Sequence, residues 1–223
     1  MTDLTMKMNP GRIVQKQPWI IRASAGLVSV VFHPLFIPIY VSCFLLFLHP
    51  LLFAGYDLSS RLKLLGTVFV NLTLLPAITV FLCWRLKFIS GLQMDTQRDR
   101  IIPLAAAMIF YFWGWIVLKN FSEIPMLFRL FLFGCFLTLI GAWLANIYFK
   151  VSLHGLSMGA VCFFMFLVLN LNAGGSAQYF AATILVAGLV STSRLLLGAH
   201  APFELYAGLV IGAFCQAVAY WIS

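Results

Sequence analysis

Residues 193–204 read S-R-L-L-L-G-A-H-A-P-F-E. These twelve residues hold an arginine, Arg194, a histidine, His200, and a carboxylate, Glu204. Apolar runs flank them, 178–192 before and 202–222 after. Ionisable groups are costly at a membrane edge, so a cluster kept there is a functional candidate. The stretch also bears on the fold. It separates two segments whose apolarity suits membrane helices, and it marks a boundary between them.

Outward from this stretch the same alternation repeats. The 223 residues are 63% hydrophobic and only 9% charged, with a mean hydropathy of +1.02. A soluble domain carries about a quarter charged residues. The apolar runs are long enough for helices rather than barrel strands, and helices satisfy every backbone polar group within the segment. The expected fold is all-α, a polytopic membrane helix bundle of about seven spans, with six as the alternative. The spans fall at 27–49, 64–84, 101–118, 127–148, 155–171, 178–192 and from Pro202 to about 222. They form one domain, 27–223. A basic tail, 1–26, precedes it, with Lys7, Arg12, Lys16 and Arg22 against Asp3, interfacial and amphipathic from Trp19 onward. His33-Pro34 and Pro38 predict a bend near the start of the first span. His33 reads as an interfacial histidine paired with backbone, the alternative being a ligand-facing one. Asn172-Ala-Gly-Gly-Ser-Ala predicts a turn. Glycine and other small residues in the last three spans suit close helix packing.

The net charge of +8 does not indicate nucleic acid, because the cations are scattered and no basic helix or aromatic-basic ladder occurs. Attraction to anionic lipid headgroups explains the excess better. The five cysteines all lie inside apolar runs, without a C-x-x-C, and read as small core hydrophobes. No metal-ligand spacing is visible, and neither a metal nor a cofactor is expected.

The charges gather in three clusters, Lys87–Arg100, Lys150–His154 and Arg194–Glu204. Two expected spans separate each cluster from the next. An even number of crossings returns the chain to the same face, so all three can meet at one membrane surface and form a single active site.

Here the residues carry a resemblance. Ser193-Arg194, His200 and Glu204 resemble the third signature of the type-2 phosphatidic acid phosphatase superfamily, S-R-x5-H-x3-D, with Gly198 and Pro202 in places typical of that family. Ser152-Leu153-His154 resembles its second signature, P-S-G-H, with Val151 for Pro and Leu153 for Gly. The first signature, K-x6-R-P, is matched only by pieces: Lys87 far upstream, then Arg98-Asp-Arg-Ile-Ile-Pro103. Glu204 stands for the usual Asp. The resemblance runs from about Lys87 to the C-terminus.

It implies a phosphohistidine mechanism. His200 would be the nucleophile and Glu204 its orienting carboxylate, favoured by the helix N-terminus after Pro202. His154 would protonate the leaving alkoxide. Arg194 and one or both of Arg98 and Arg100 would clamp phosphate oxygens. Lys150 or Lys87 would add positive charge, and Ser152 a hydrogen bond. The cations would do the electrostatic work without a metal. The implied substrate is a lipid phosphate or diphosphate, with the headgroup in the polar site and the tail between helices. A lipid phosphotransferase and a catalytically silent, anionic-lipid-binding membrane subunit are the rival readings. The expected site face carries ten Lys/Arg against four on the other face, Arg61, Lys63, Lys119 and Arg129. Five of the ten belong to the phosphate candidates, which leaves the positive-inside rule without force. The resemblance favours the outer face of a bacterial inner membrane.

Overall fold

A computed structural model describes residues 18–49, 51–171 and 177–223. Among these residues the chain is all-helical, with no strand. Six helices have the length and apolarity to cross a membrane: α3 (Leu58–Arg85), α4 (Gln97–Lys119), α5 (Met126–Tyr148), α6 (Leu153–Leu171), α7 (Ala177–Leu196) and α8 (Pro202–Ile222). The shortest, α6, has 19 residues, or about 28 Å at 1.5 Å per residue. Large apolar side chains such as Ile109, Leu185, Val210 and Phe214 point outward. That surface belongs in lipid, and the protein is an integral membrane helix bundle. Six of the expected spans are these helices, most of them longer than the sequence suggested.

The seventh span differs from expectation. Residues 27–49 do not form one bent helix. Two short helices stand there, α1 (Trp19–Val31) and α2 (Ile37–Leu48). Pro34 cannot donate a backbone hydrogen bond and forces His33 away from helical geometry, and Pro38 then sits in the first turn of α2. The break is paid for locally. Tyr40 donates its hydroxyl to the Val31 carbonyl (2.8 Å), and Thr73 donates to the Leu35 carbonyl (2.9 Å). Such repairs let irregular backbone persist at membrane depth. Ser29 touches Arg194 near the end of α7, while Phe44 packs on Tyr179 near its start, ring centroids 4.8 Å apart. Between those two α7 positions lie about 22 Å of helix, so α1 and α2 together traverse the bundle alongside α7. Within the expected tail, residues 19–26 form the first part of α1; positions 19–24 are exposed and Ala25 is the first buried side chain. All of the expected turn at 172–177 except Ala177, and the tail's basic residues up to Lys16, lie outside the described residues.

α6 and α8 make the closest pair, and glycine is the reason. A Cβ at Gly159 would come within 1.9 Å of the Leu209 carbonyl oxygen, and one at Gly212 within 1.9 Å of the Leu156 carbonyl oxygen. Gly155 and Gly208 continue the same two small-xxx-small faces. Backbones in contact bring the N-terminal ends of α6 and α8 together. The Ser152 amide donates to the Glu204 carbonyl at 3.0 Å. That junction holds the second and third polar clusters.

Candidate functional site

The end of α7 places the first two groups. The helix stops at Gly198, whose φ of +63° suits a residue without a side chain. The Gly198 amide donates to the Leu195 carbonyl and the Ala199 amide to the Arg194 carbonyl, the hydrogen-bond pattern of a Schellman turn. The turn sends His200 back over the helix end beside Arg194. α8 then begins at Pro202, a first-turn position whose missing N–H costs nothing. Glu204 follows in the same turn. Its Oε2 accepts from the Ala201 amide at 3.0 Å and from His200 Nδ1 at 2.9 Å. A carboxylate only accepts, so Nδ1 carries the proton and Nε2 is left with its lone pair. The His200 side chain is 2% exposed. Burial pulls its pKa below the ordinary imidazole value, partly opposed by the hydrogen bond to Glu204.

α6 supplies His154. Ser152 is wholly buried, and its hydroxyl accepts from the Gly155 amide at 3.3 Å, the geometry of a helix N-cap. His154 is buried, and its Nε2 lies 2.9 Å from the Ser29 carbonyl oxygen and 3.3 Å from the Ser29 hydroxyl. A carbonyl accepts only, so Nε2 donates there and Nδ1 is the nitrogen left for other partners. Arg194, His33 and His200 all lie within electrostatic reach of the His154 ring.

The first cluster divides. Arg100 is buried at the start of α4, donating from Nε to the Met94 carbonyl (3.1 Å) and from Nη1 to the Val151 carbonyl (2.6 Å). Glu204, Arg194 and Asp95 are in electrostatic reach of it. Asp99 fixes the loop that leads in, accepting from the Ser90 amide and hydroxyl and from the Thr96 hydroxyl at 2.7–2.9 Å. Gln97 and Asn146 exchange side-chain-to-backbone hydrogen bonds that staple α4 to the end of α5. Lys150 lies 4.0 Å from Asp95, and burial followed by repulsion from Arg100 lowers its pKa. Arg98 and Lys87 are exposed, and neither makes a side-chain hydrogen bond or ion pair among the described residues. Of the two arginine candidates, the fold brings Arg100 to the cluster.

The assembled site is thus Arg100, Lys150, His154, Arg194, His200 and Glu204 at one end of the bundle, with the N-terminal ends of α4, α6 and α8 converging on it. Three cations face one half-buried carboxylate, Glu204, and the largely exposed Asp95. Helix N-termini and guanidinium groups both favour an anion. Among the described residues, no three His, Cys, Asp or Glu side chains are placed to hold a metal ion.

No family model, no curated protein and no solved structure matches this chain. The chemistry of the site therefore rests on its own residues and on the motif resemblance. One contributor escaped the sequence reading. Ser29 is one small hydroxyl in an apolar run, with no spacing relation to any cluster. His33, expected chiefly to be an interfacial histidine paired with backbone, does accept from the Leu35 amide at 3.3 Å, and it also stands edge-on to His154, ring centroids 5.5 Å apart.

Beside the polar cluster opens an apolar cavity of about 280 Å³, bordered by elements from α2 to α6. His33, Met94, Leu153 and Ser157 line it nearest the cluster, and Tyr111, Phe131 and Cys135 are among its deeper walls. Its first two and Leu153 adjoin site residues in space or sequence, so polar and apolar compartments share a border.

Proposed function

We propose that this protein is a membrane-embedded phosphatase acting on a lipid phosphate or diphosphate through a phosphohistidine intermediate. The observation that carries the reading is the buried His200 held through Nδ1 by Glu204, 2.9 Å away, in electrostatic reach of both Arg100 and Arg194. Its free Nε2 is the nucleophile. It attacks phosphorus, the bond from phosphorus to the bridging oxygen breaks, and the departing lipid alkoxide, or lipid phosphate where the substrate is a diphosphate, takes the Nδ1 proton of His154 in its imidazolium form. Water then attacks the phosphohistidine, giving up a proton to His154, and inorganic phosphate leaves. Arg194, Arg100 and Lys150 stabilise charge on the phosphoryl oxygens throughout. Ser152 serves through the start of α6, which its hydroxyl caps, rather than needing to reach the substrate itself.

The apolar cavity next to the cluster suits the substrate's hydrocarbon chain, with the phosphate in the polar compartment. Motif order and residue types support placement in the type-2 phosphatidic acid phosphatase superfamily. By the same resemblance the protein sits in a bacterial inner membrane with the site on the outer face. Purified protein tests the reading directly. It is expected to release inorganic phosphate from a lipid phosphate and to yield an acid-labile, base-stable phosphoprotein when quenched during turnover. Neither product from any lipid phosphate or diphosphate offered would overturn it.

A further inference from the structure

We propose that Ser29, on the first helix, is a positioning residue that aims Arg194 and His154 at the substrate; this rests on the phosphatase reading. Ser29 is 6% exposed and 165 residues from Arg194 in sequence. Arg194 donates from Nη1 to the Ser29 hydroxyl at 2.6 Å. A guanidinium grips a phosphate best through two parallel N–H groups. With Nη1 held, the edge formed by Nε and Nη2 remains. Among the described residues the buried Nε of Arg194 has no hydrogen-bond partner. A buried donor without a partner is costly, by roughly 1–3 kcal/mol. A two-oxygen contact with a phosphoryl group removes that cost, and Ser29 fixes which edge is offered.

The same residue fixes the second histidine by different atoms. The Ser29 carbonyl, at 2.9 Å, is the nearer acceptor for the Nε2 proton of His154, with the hydroxyl at 3.3 Å. That selects the tautomer and turns Nδ1 away from α1, toward proton traffic. One residue thus sets two site groups, one through its side chain and one chiefly through its backbone. The backbone can do this because the helix ends at Val31, two residues on. Carbonyls in the last four positions of a helix lack an intrahelical partner, so the Ser29 oxygen is available to a side chain. The Pro34 break therefore frees the acceptor as well as bending the chain.

The division of atoms gives the test. Ser29→Ala removes the hydroxyl and keeps the carbonyl. Ser29→Thr restores a hydroxyl at the same place. The binding of inorganic phosphate and of orthovanadate to wild type and both variants is measured by the shift in thermal unfolding in detergent, alongside lipid and nitrophenyl phosphate turnover. Ser29→Ala is expected to weaken anion binding about tenfold and to lower kcat/KM for both substrates by the same factor, since Arg194 holds the phosphoryl group common to both. Ser29→Thr is expected to recover to within about threefold of wild type. Unchanged anion affinity in folded Ser29→Ala would overturn the assignment, as would failure of Ser29→Thr to recover any of the loss. Wild type that binds phosphate in a Ser29-dependent way but never releases it from a lipid would remove the phosphatase reading and leave Ser29 in place as the anchor of an anion site. Wild type that binds neither anion would remove both.

Discussion

The two ends of the chain reach the same polar cluster by opposite means. At the C-terminal end, Arg194, His200 and Glu204 lie within eleven residues, and local rules place them: a Schellman turn at Gly198, a helix start at Pro202, a carboxylate three residues into the new helix. At the N-terminal end nothing local marks Ser29. It arrives through a helix break and long-range packing, with partners 125 and 165 residues away. The first region resists change because each contact is short-range and repeated. The second depends on one short helix keeping its place. The proposed chemistry sits in the first region and the proposed aim is shared with the second, so substitutions in the two should fail differently.

The largest effect belongs to the C-terminal region. His200→Ala removes the proposed nucleophile, and activity toward every substrate is expected to fall by about a thousandfold or more, with no phosphoprotein formed. Glu204→Gln keeps the shape but loses the carboxylate that stabilises a charged imidazole, and is expected to lie between that variant and wild type. The pH dependence has a definite sign. Burial lowers the His200 pKa in the folded protein relative to the unfolded chain. Its contribution to stability is then fully present above the unfolded value of about 6.5 and is lost as pH falls below that toward the folded value. The acid limb of kcat/KM, measured on a substrate whose own ionisation is known, is expected below 6.5 for the same reason. A limb above 6.5 assigned to His200 would contradict its buried setting.

His154 stands between the two regions, on α6 but aimed by α1. Its removal is expected to cost about a hundredfold on a lipid phosphate, whose alkoxide needs a proton to leave. A nitrophenolate leaves unaided, so the first transfer from nitrophenyl phosphate should be largely spared in single-turnover measurements. Equal losses on both substrates would show that His154 does something other than protonate the leaving group. The contrast with Ser29→Ala is built in, because losing the aim of Arg194 should affect both substrates alike.

Packing separates the regions as well. Gly159→Ala would drive a Cβ into the Leu209 carbonyl at 1.9 Å, and α6 and α8 must part to accept it. The expected cost is about 1–3 kcal/mol or more, read as a lowered midpoint of thermal unfolding and reduced activity. Gly188 on α7 offers the opposite case, since a Cβ there meets nothing within 4 Å. Gly188→Ala should be neutral or stabilising by up to about 1 kcal/mol, the ordinary helix advantage of alanine. If both substitutions gave the same result, close approach would not be what glycine provides between α6 and α8.

What could be read from the sequence follows the same line. Six spans were legible because a long apolar run has few alternatives in a chain with so few charges. The meeting of the three clusters was legible because parity follows from counting spans. Arg100 could not be separated from Arg98, two residues apart at a helix start, until the Val151 and Met94 carbonyls showed which one turns inward. The broken first span was legible only as a bend, since His33-Pro34 and Pro38 locate a defect without saying how far the two pieces separate. Ser29 was not legible, because a buried hydroxyl earns its meaning from partners that the folded bundle brings to it.

The last expected effect concerns the cavity, to which the broken span contributes one wall and α3 to α6 the others. His33, Pro34 and Leu35 line it because the backbone between α1 and α2 is not helical there. Ala107 on α4 is another wall residue, 8% exposed. Ala107→Phe would place a ring where a hydrocarbon chain is proposed to lie. A single methylene in an apolar pocket is worth about 1–3 kcal/mol of discrimination at most, so losing part of the pocket should lower kcat/KM for a long-chain lipid phosphate by about tenfold. The phosphoryl compartment lies outside the cavity, so nitrophenyl phosphate turnover should change by less than about twofold. That second substrate also guards against misreading an overpacked, partly unfolded variant, which would lose both activities together. Chain length then sharpens the test. Against a series of lipid phosphates of increasing length, wild type should gain kcat/KM with each added methylene until the cavity is full, and Ala107→Phe should reach its plateau at shorter chains. A variant that lost long and short chains in equal proportion would place the hydrocarbon elsewhere, between the outer faces of the helices, and would separate the role of the broken span in aiming Arg194 and His154 from any role in holding the lipid.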